Sequence, residues 1–148
     1  SSTSRGLGDV YKRQDKWSAG PRTYLGLSVP GFPNMFMVSG PGSPSVLTNM
    51  IVSIQQHVEW ISDCIAWMDE TAHKTIEATV SAETDWVEHV NAIAHKTLFP
   101  SCNSWYLGAN VPGKTRVFMP LLGFPGYVRR CDKVASENYD GFTLVANR

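Results

Sequence analysis

The sequence predicts an α/β fold that is incomplete as it stands, mostly helices and loops with one buried strand. Three observations carry that expectation. Residues 34–39 form a short apolar run of strand length, which breaks at once into a Gly/Pro/Ser turn over 40–45. The turn opens the longest helical pattern in the chain, with apolar residues at Leu47, Met50, Ile51, Ile54, Val58, Ile61, Ile65 and Met68. The strand itself is apolar nearly throughout, so it expects sheet neighbours and cover on both faces, and the chain offers no partners for it.

Residues 1–14 stand apart from the rest, being polar, basic and without pattern. Asp9-Val10-Tyr11-Lys12-Arg13-Gln14 resembles the translated end of a transposase adapter used in sequencing libraries. On that reading 1–14 is a non-native scar, disordered, and the native sequence begins near Asp15. A native disordered arm is the alternative. Gly6-Leu7-Gly8 lacks the preceding strand and the later glycines of a dinucleotide fingerprint. Residues 15–33 read as loop and short extended pieces, punctuated by Gly20-Pro21, Val29-Pro30-Gly31 and Phe32-Pro33.

In the turn, Gly40 and Gly42 would let a ligand approach the backbone, and Ser43, Ser45 and Thr48 are candidate helix caps. A strand that turns into a helix N-terminus is how many α/β proteins present free N–H groups to a ligand. It is equally how an ordinary strand-to-helix connection looks. The first helix is expected over 47–68, with Glu59 and Asp63 on its solvent face, followed by a polar connection over 71–80. A second amphipathic helix is expected over 83–98, with Trp86, Val87, Val90, Ile93, Ala94 and Leu98 on one side and Phe99-Pro100 ending it. Residues 101–126 form a long loop rich in Gly, Pro and aromatics, with a short strand at 116–119. A last helix over 127–138, a turn at Asp140-Gly141 and a short strand over 142–145 complete the chain.

Thirteen basic residues balance thirteen acidic ones, which argues against a nucleic-acid partner. No apolar run approaches a membrane span, so no membrane partner is expected. Cys64, Cys102 and Cys131 are odd in number and unpaired in spacing, as expected of free thiols in a reducing, cytoplasmic setting. No metal site is expected, because His57, His73, His89 and His95 are not completed by a cysteine or carboxylate cluster. Surface or packing histidines are the plainer reading. Cys64, inside an apolar helical pattern, reads as a small buried hydrophobe, and no Gly-x-Ser-x-Gly elbow points to a hydrolase. Gly108-x-x-x-x-Gly113-Lys114-Thr115 satisfies the bare phosphate-loop expression, but no clean strand precedes it and no helix pattern follows.

One resemblance spans nearly everything after Gln14. It is carried by Lys16-Trp17, by Gly20-Pro21-Arg22-Thr23-Tyr24-Leu25-Gly26 and by Asn34-Met35-Phe36. Ser39-Gly40-Pro41-Gly42-Ser43-Pro44-Ser45, Asn49-Met50 and Gln56-His57-Val58-Glu59-Trp60 extend it. Ser104-Trp105-Tyr106 and Gly108-Ala109-Asn110-Val111-Pro112-Gly113-Lys114 complete it. Together these blocks resemble the C-terminal part of Baeyer–Villiger monooxygenases, closest to the phenylacetone monooxygenase type. The resemblance implies an FAD-binding flavoprotein with two dinucleotide domains, which uses NADPH and O2 to convert a ketone to an ester or lactone. It implies that 15–70 ends the FAD-binding domain, and that 71–148 is a C-terminal helical region whose loop 101–126 closes over NADP. It places Leu47, Asn49 and Met50 against the FAD, with Met50 near the pyrimidine edge of the flavin. The positive end of a helix there would stabilise the negative charge of reduced flavin. Pro44, Ser45, Val46 and Leu47 would face the ketone substrate, and Trp105 would donate its indole N–H to NADPH. No catalytic residue falls within the chain, because the dinucleotide fingerprints and the family's arginine would lie in a missing N-terminal portion of the same enzyme. A related N- or S-hydroxylating flavin monooxygenase and a non-catalytic helical interaction module are the competing readings.

Overall fold

The computed structural model describes residues 15–44, 48–96 and 123–147. Helix α1 (Met50–Glu70) begins where Asn49, in extended backbone, accepts the Ile51 N–H at 3.0 Å with its side-chain oxygen. It ends where Ala72 turns into the left-handed region at φ 55°. Strand β1 (His73–Ala78) follows directly, and helix α2 (Val80–Ala94) starts with the Thr79 hydroxyl accepting the Ala82 N–H at 3.2 Å. Helix α3 (Phe124–Ser136) carries Pro125 in its first turn, where a missing N–H costs nothing. Strand β2 (Phe142–Ala146) pairs antiparallel with β1, placing Ile76 opposite Leu144 and Ala78 opposite Phe142.

The interior is built on a loop. Leu25, Leu27 and Val29 are fully buried, and the two leucines share a core with Trp60, Cys64 and Met68 of α1, Trp86 and Val90 of α2, and Tyr127, Cys131 and Val134 of α3. Buried loop backbone must find hydrogen-bond partners. Here the Tyr24 N–H donates to Ser28 O at 2.8 Å, the Met37 N–H to Leu27 O at 2.8 Å, and the Tyr127 hydroxyl to Leu25 O at 2.7 Å. Aromatic rings close the far side, with Trp60 and Tyr139 edge to face at 5.2 Å between centroids. Gly141, at φ 86°, lies under Tyr24; a β-carbon there would come within 2.8 Å of that ring.

The α/β class with few strands holds, but the strand sits elsewhere. Residues 34–39 form no strand: their backbone bonds go one at a time to separate partners and never make a ladder. Asn34, at φ 59°, donates its N–H to Ile76 O and accepts the Ile76 N–H on its side chain, both at 2.9 Å. It thereby seals the edge of β1 that β2 leaves open. The strand lies instead at 73–78, inside the expected polar connection, because pairing with β2 and Asn34 satisfies its backbone although only Ile76 and Ala78 are buried. The cap of α1 is Asn49, not Thr48 or an earlier serine.

The largest departure concerns α1 itself. Its buried residues are Ser53, His57, Trp60, Cys64 and Met68. The apolar stripe expected inside is turned roughly a quarter of the way round the helix, leaving Met50 41%, Ile51 74%, Ile54 40% and Val58 48% exposed.

Candidate functional site: the turn before α1

Residues 39–44 form a turn whose backbone polar groups are taken up one by one. The Ser39 N–H donates to His57 Nδ1 at 2.9 Å. Gly40 O accepts from the Ser43 N–H at 3.1 Å and the Ser43 hydroxyl at 2.7 Å. Pro41 O accepts from the Thr23 hydroxyl at 2.5 Å, Gly42 O from the Trp86 indole N–H at 3.1 Å, and Pro44 O from the Ser53 hydroxyl at 3.4 Å. Thr23 comes from the buried loop, Ser53 and His57 from α1, and Trp86 from α2.

Gly40 and Gly42 were expected to open the backbone to a ligand. The space beside them is filled by protein: a β-carbon on Gly40 would overlap the Gly26 carbonyl oxygen, and one on Gly42 would lie 3.1 Å from the Trp86 indole nitrogen. The glycines are there so that two chain segments and a tryptophan can approach closely.

Beneath the turn lies a buried polar chain. His57 is fully buried, and because its Nδ1 accepts the Ser39 N–H, the ring proton sits on Nε2. Nε2–H donates to the Tyr127 hydroxyl at 3.0 Å, which in turn donates to Leu25 O. Burial lowers the His57 pKa from 6.5 and holds the Tyr127 phenol well above its usual range, so both stay neutral. Cys64 and Cys131 are free and buried, and burial pushes their thiols up to about 11 and about 12, which removes them as nucleophiles.

Tyr127→Phe strands two buried partners, the His57 Nε2–H and the Leu25 carbonyl. A loss of about 2–4 kcal/mol is expected by denaturant unfolding, well above the cost of a deleted exposed hydroxyl. The same histidine makes the fold acid-sensitive. The unfolded chain takes up this proton near its ordinary pKa of 6.5, and the folded chain resists it. Its contribution is therefore complete above about 6.5 and lost as pH falls through the lowered folded value. Melting curves between pH 7.5 and 5 check the sign.

Beside the turn runs a groove of about 250 Å³, lined among others by Pro21, Thr23, Pro41, Gly42, Trp86 and Val90. At one rim the buried Glu83 carboxylate holds Lys16 at 3.3 Å and Arg22 at 3.4 Å. Among the described residues no group of three or more His, Cys, Asp or Glu could hold a metal ion, and no helix is long and apolar enough to cross a membrane.

Of the expected site residues, Pro44 is buried at the end of the turn, Asn49 caps α1, and Met50 stands exposed on its first turn. Ser45, Val46, Leu47 and Trp105 lie outside the described residues, as do the scar 1–14, most of the loop 101–126 and the strand at 116–119. Around α1, the Thr48 hydroxyl is buried without a hydrogen-bond partner, and no acidic side chain occupies the first turn. The hold of Thr23, His57 and Trp86 on the turn was not legible in the sequence, since each reads there as an ordinary core or surface residue.

No protein-family model matches the chain. A Baeyer–Villiger monooxygenase of Pseudooceanicola batsensis is 43% identical over 97% of the chain, and a phenazine N-monooxygenase of Lysobacter antibioticus is 41% identical over 88%. Among solved structures, an oxidised steroid monooxygenase bound to NADP superposes with a TM-score of 0.82 at 46% identity, over 90% of this chain and 24% of that one. A cyclohexanone monooxygenase of Rhodococcus sp. Phi1 bound to NADP matches with a TM-score of 0.84 at 39% identity, over 90% of this chain and 25% of that one. The chain spans about a quarter of the length of the curated relatives it matches, 26% and 24% for the two above.

Proposed function

We infer that this chain, whose relatives and structural neighbours are flavin-type monooxygenases much longer than itself, is the C-terminal portion of a Baeyer–Villiger monooxygenase. On this reading the whole enzyme converts a ketone, O2, NADPH and a proton to an ester or lactone, NADP and water. The observation that carries it is similarity above 40% over almost the entire chain, together with α1, whose exposed apolar stripe calls for cover from a longer polypeptide. Residues 15–70 would end the FAD-binding domain and 71–148 form the C-terminal region. The free buried thiols agree with a reducing, cytoplasmic setting.

The first turn of α1 fits a flavin. The Asn49 side chain takes up the Ile51 N–H, no acidic side chain stands in the turn to neutralise its positive end, the Thr48 hydroxyl lacks a partner, and Met50 and Ile51 offer apolar surface for a ring. FAD, when bound, supplies the oxygen-activating chemistry and NADPH the reducing equivalents. The chain's own part is to hold a backbone of fixed shape against the ring edge through Leu47, Asn49 and Met50. Pro44, Ser45, Val46 and Leu47 shape the ketone site, and Trp105 donates to NADPH.

The test uses the full-length, FAD-loaded enzyme. Trp105→Ala should weaken NADP binding by about 1–3 kcal/mol, read by NADP titration with thermal shift, and leave FAD content unchanged. Equal NADP affinity in a folded mutant removes Trp105 from the site. The phenazine relative favours a second reading, N-oxidation; N-oxide formed from a phenazine, with no ester from any ketone, would select it.

A further inference from the structure

The groove beside the turn takes no part in the chemistry above. Its lining is mostly apolar, from Pro21, Pro41, Trp86, Val87 and Val90. Two of its polar groups are already spent, the Thr23 hydroxyl on Pro41 O and the Trp86 indole N–H on Gly42 O. Among the described residues Arg22 is the one charged residue on the lining. Its backbone is fixed by the Trp17 indole N–H, which donates to Arg22 O at 3.0 Å. Its guanidinium is only partly used. Nε donates to Glu83 Oε1 at 3.4 Å and Nη2 to the Thr84 hydroxyl at 3.3 Å, both long for such bonds. Nη1 has no hydrogen-bond partner among the described residues, so part of the five-donor fork stays open. The charge is not balanced either. The single Glu83 carboxylate also pairs with Lys16 at 3.3 Å, so two cations share one anion. Of the two, Arg22 is the more exposed, at 41% of its side chain against 27% for Lys16.

We propose that this groove binds a medium-chain monocarboxylate, with its carboxylate on the Arg22 fork and its hydrocarbon chain along α2 over Val87 and Val90. Arg–carboxylate pairing supplies direction, and the proline and valine walls supply the apolar contact. The space of about 250 Å³ lies just under the roughly 300–1,000 Å³ of sites for drug-sized ligands, so a single chain fits and a larger molecule does not. Asn91 ends the apolar stretch about two turns beyond Thr84, roughly 10 Å along the helix axis. A neutral ligand would leave the surplus charge unanswered, and a dicarboxylate would press its second charge onto apolar wall. The site goes beyond the monooxygenase reading and depends on it only for the full-length protein used in the test.

The experiment is calorimetric titration of octanoate into that full-length protein, with octanol as the uncharged counterpart. Octanoate should bind with sub-millimolar affinity, and octanol about tenfold more weakly. Arg22→Gln removes the charge while Lys16 still answers Glu83, and should weaken octanoate about tenfold to a hundredfold without moving octanol. Val87→Glu leaves the ion pairs alone and sets a like charge in the groove, so it should weaken octanoate by a similar factor. A melting curve for each variant establishes that it is folded. Absence of octanoate binding, or octanol binding as tightly as octanoate in the wild type, overturns the proposal. So does octanoate affinity unchanged in folded Arg22→Gln or Val87→Glu, which would place the ligand elsewhere in the enzyme. Because the heat of binding needs no turnover, a protein that binds octanoate through Arg22 yet oxidises no ketone fails the functional reading and leaves this site standing.

Discussion

Gly40→Ala should unfold the chain or lower its stability by several kcal/mol, the largest effect expected of any single methyl group in the described structure. Segments 23–29 and 37–43 cross where Gly26 and Gly40 meet, and both lack side chains at the crossing. A Gly40 β-carbon would overlap the Gly26 carbonyl oxygen, and a Gly26 β-carbon would sit 2.6 Å from the Ser43 β-carbon. The clashing atom is backbone, buried next to Leu25 and Leu27, so no rotamer change relieves it. Separating the segments instead would break the Met37–Leu27 and Ser39–His57 hydrogen bonds on either side. Circular dichroism melts of the two proteins suffice; a mutant within about 1 kcal/mol of wild type would mean that the crossing is not as close as described.

The isolated 148-residue chain should self-associate or precipitate, and acidic or basic substitutions on α1 should cure it. Met50, Ile51, Ile54, Val58 and Ile65 form one exposed apolar stripe along the helix, the kind of contiguous surface that invites association. Because these side chains are only about half buried, Ile54→Glu with Val58→Lys should lower the melting temperature modestly while shifting sedimentation from large or dimeric species to monomer. Wild-type chain that stays monomeric at high concentration, with a sharp two-state melt, would show that the stripe needs no cover.

That stripe also marks how far the sequence could be read. Periodicity found α1, α2 and α3 to within a few residues, and Asp140-Gly141 with β2 as well, because propensity, caps and turn glycines act locally. It chose the wrong face of α1. Hydropathy assigns Ile54 and Val58 to the interior and Ser53 and His57 to water, whereas Ser53 and His57 are buried because Pro44 O, the Ser39 N–H and the Tyr127 hydroxyl satisfy them. An apolar face whose partner lies outside these residues is indistinguishable, in sequence, from one covered within them. Residues 34–39 misled for the same reason: a run fit for a buried strand forms none in this chain. The loop 23–29 was legible only as punctuation, since its burial depends on side chains such as Tyr127, 102 residues away from Leu25. Pro44, Asn49 and Met50 were singled out by the resemblance alone, since pattern ranks them with any helix start.

The most direct measurement of the central claim is isotopic. The full-length enzyme, loaded with FAD and given NADPH, a cyclic ketone and 18O2, should form a lactone carrying one 18O atom, with one NADPH consumed per lactone. Lactone with oxygen from water, or NADPH oxidation that ignores the ketone and leaves it unchanged, would contradict the assignment.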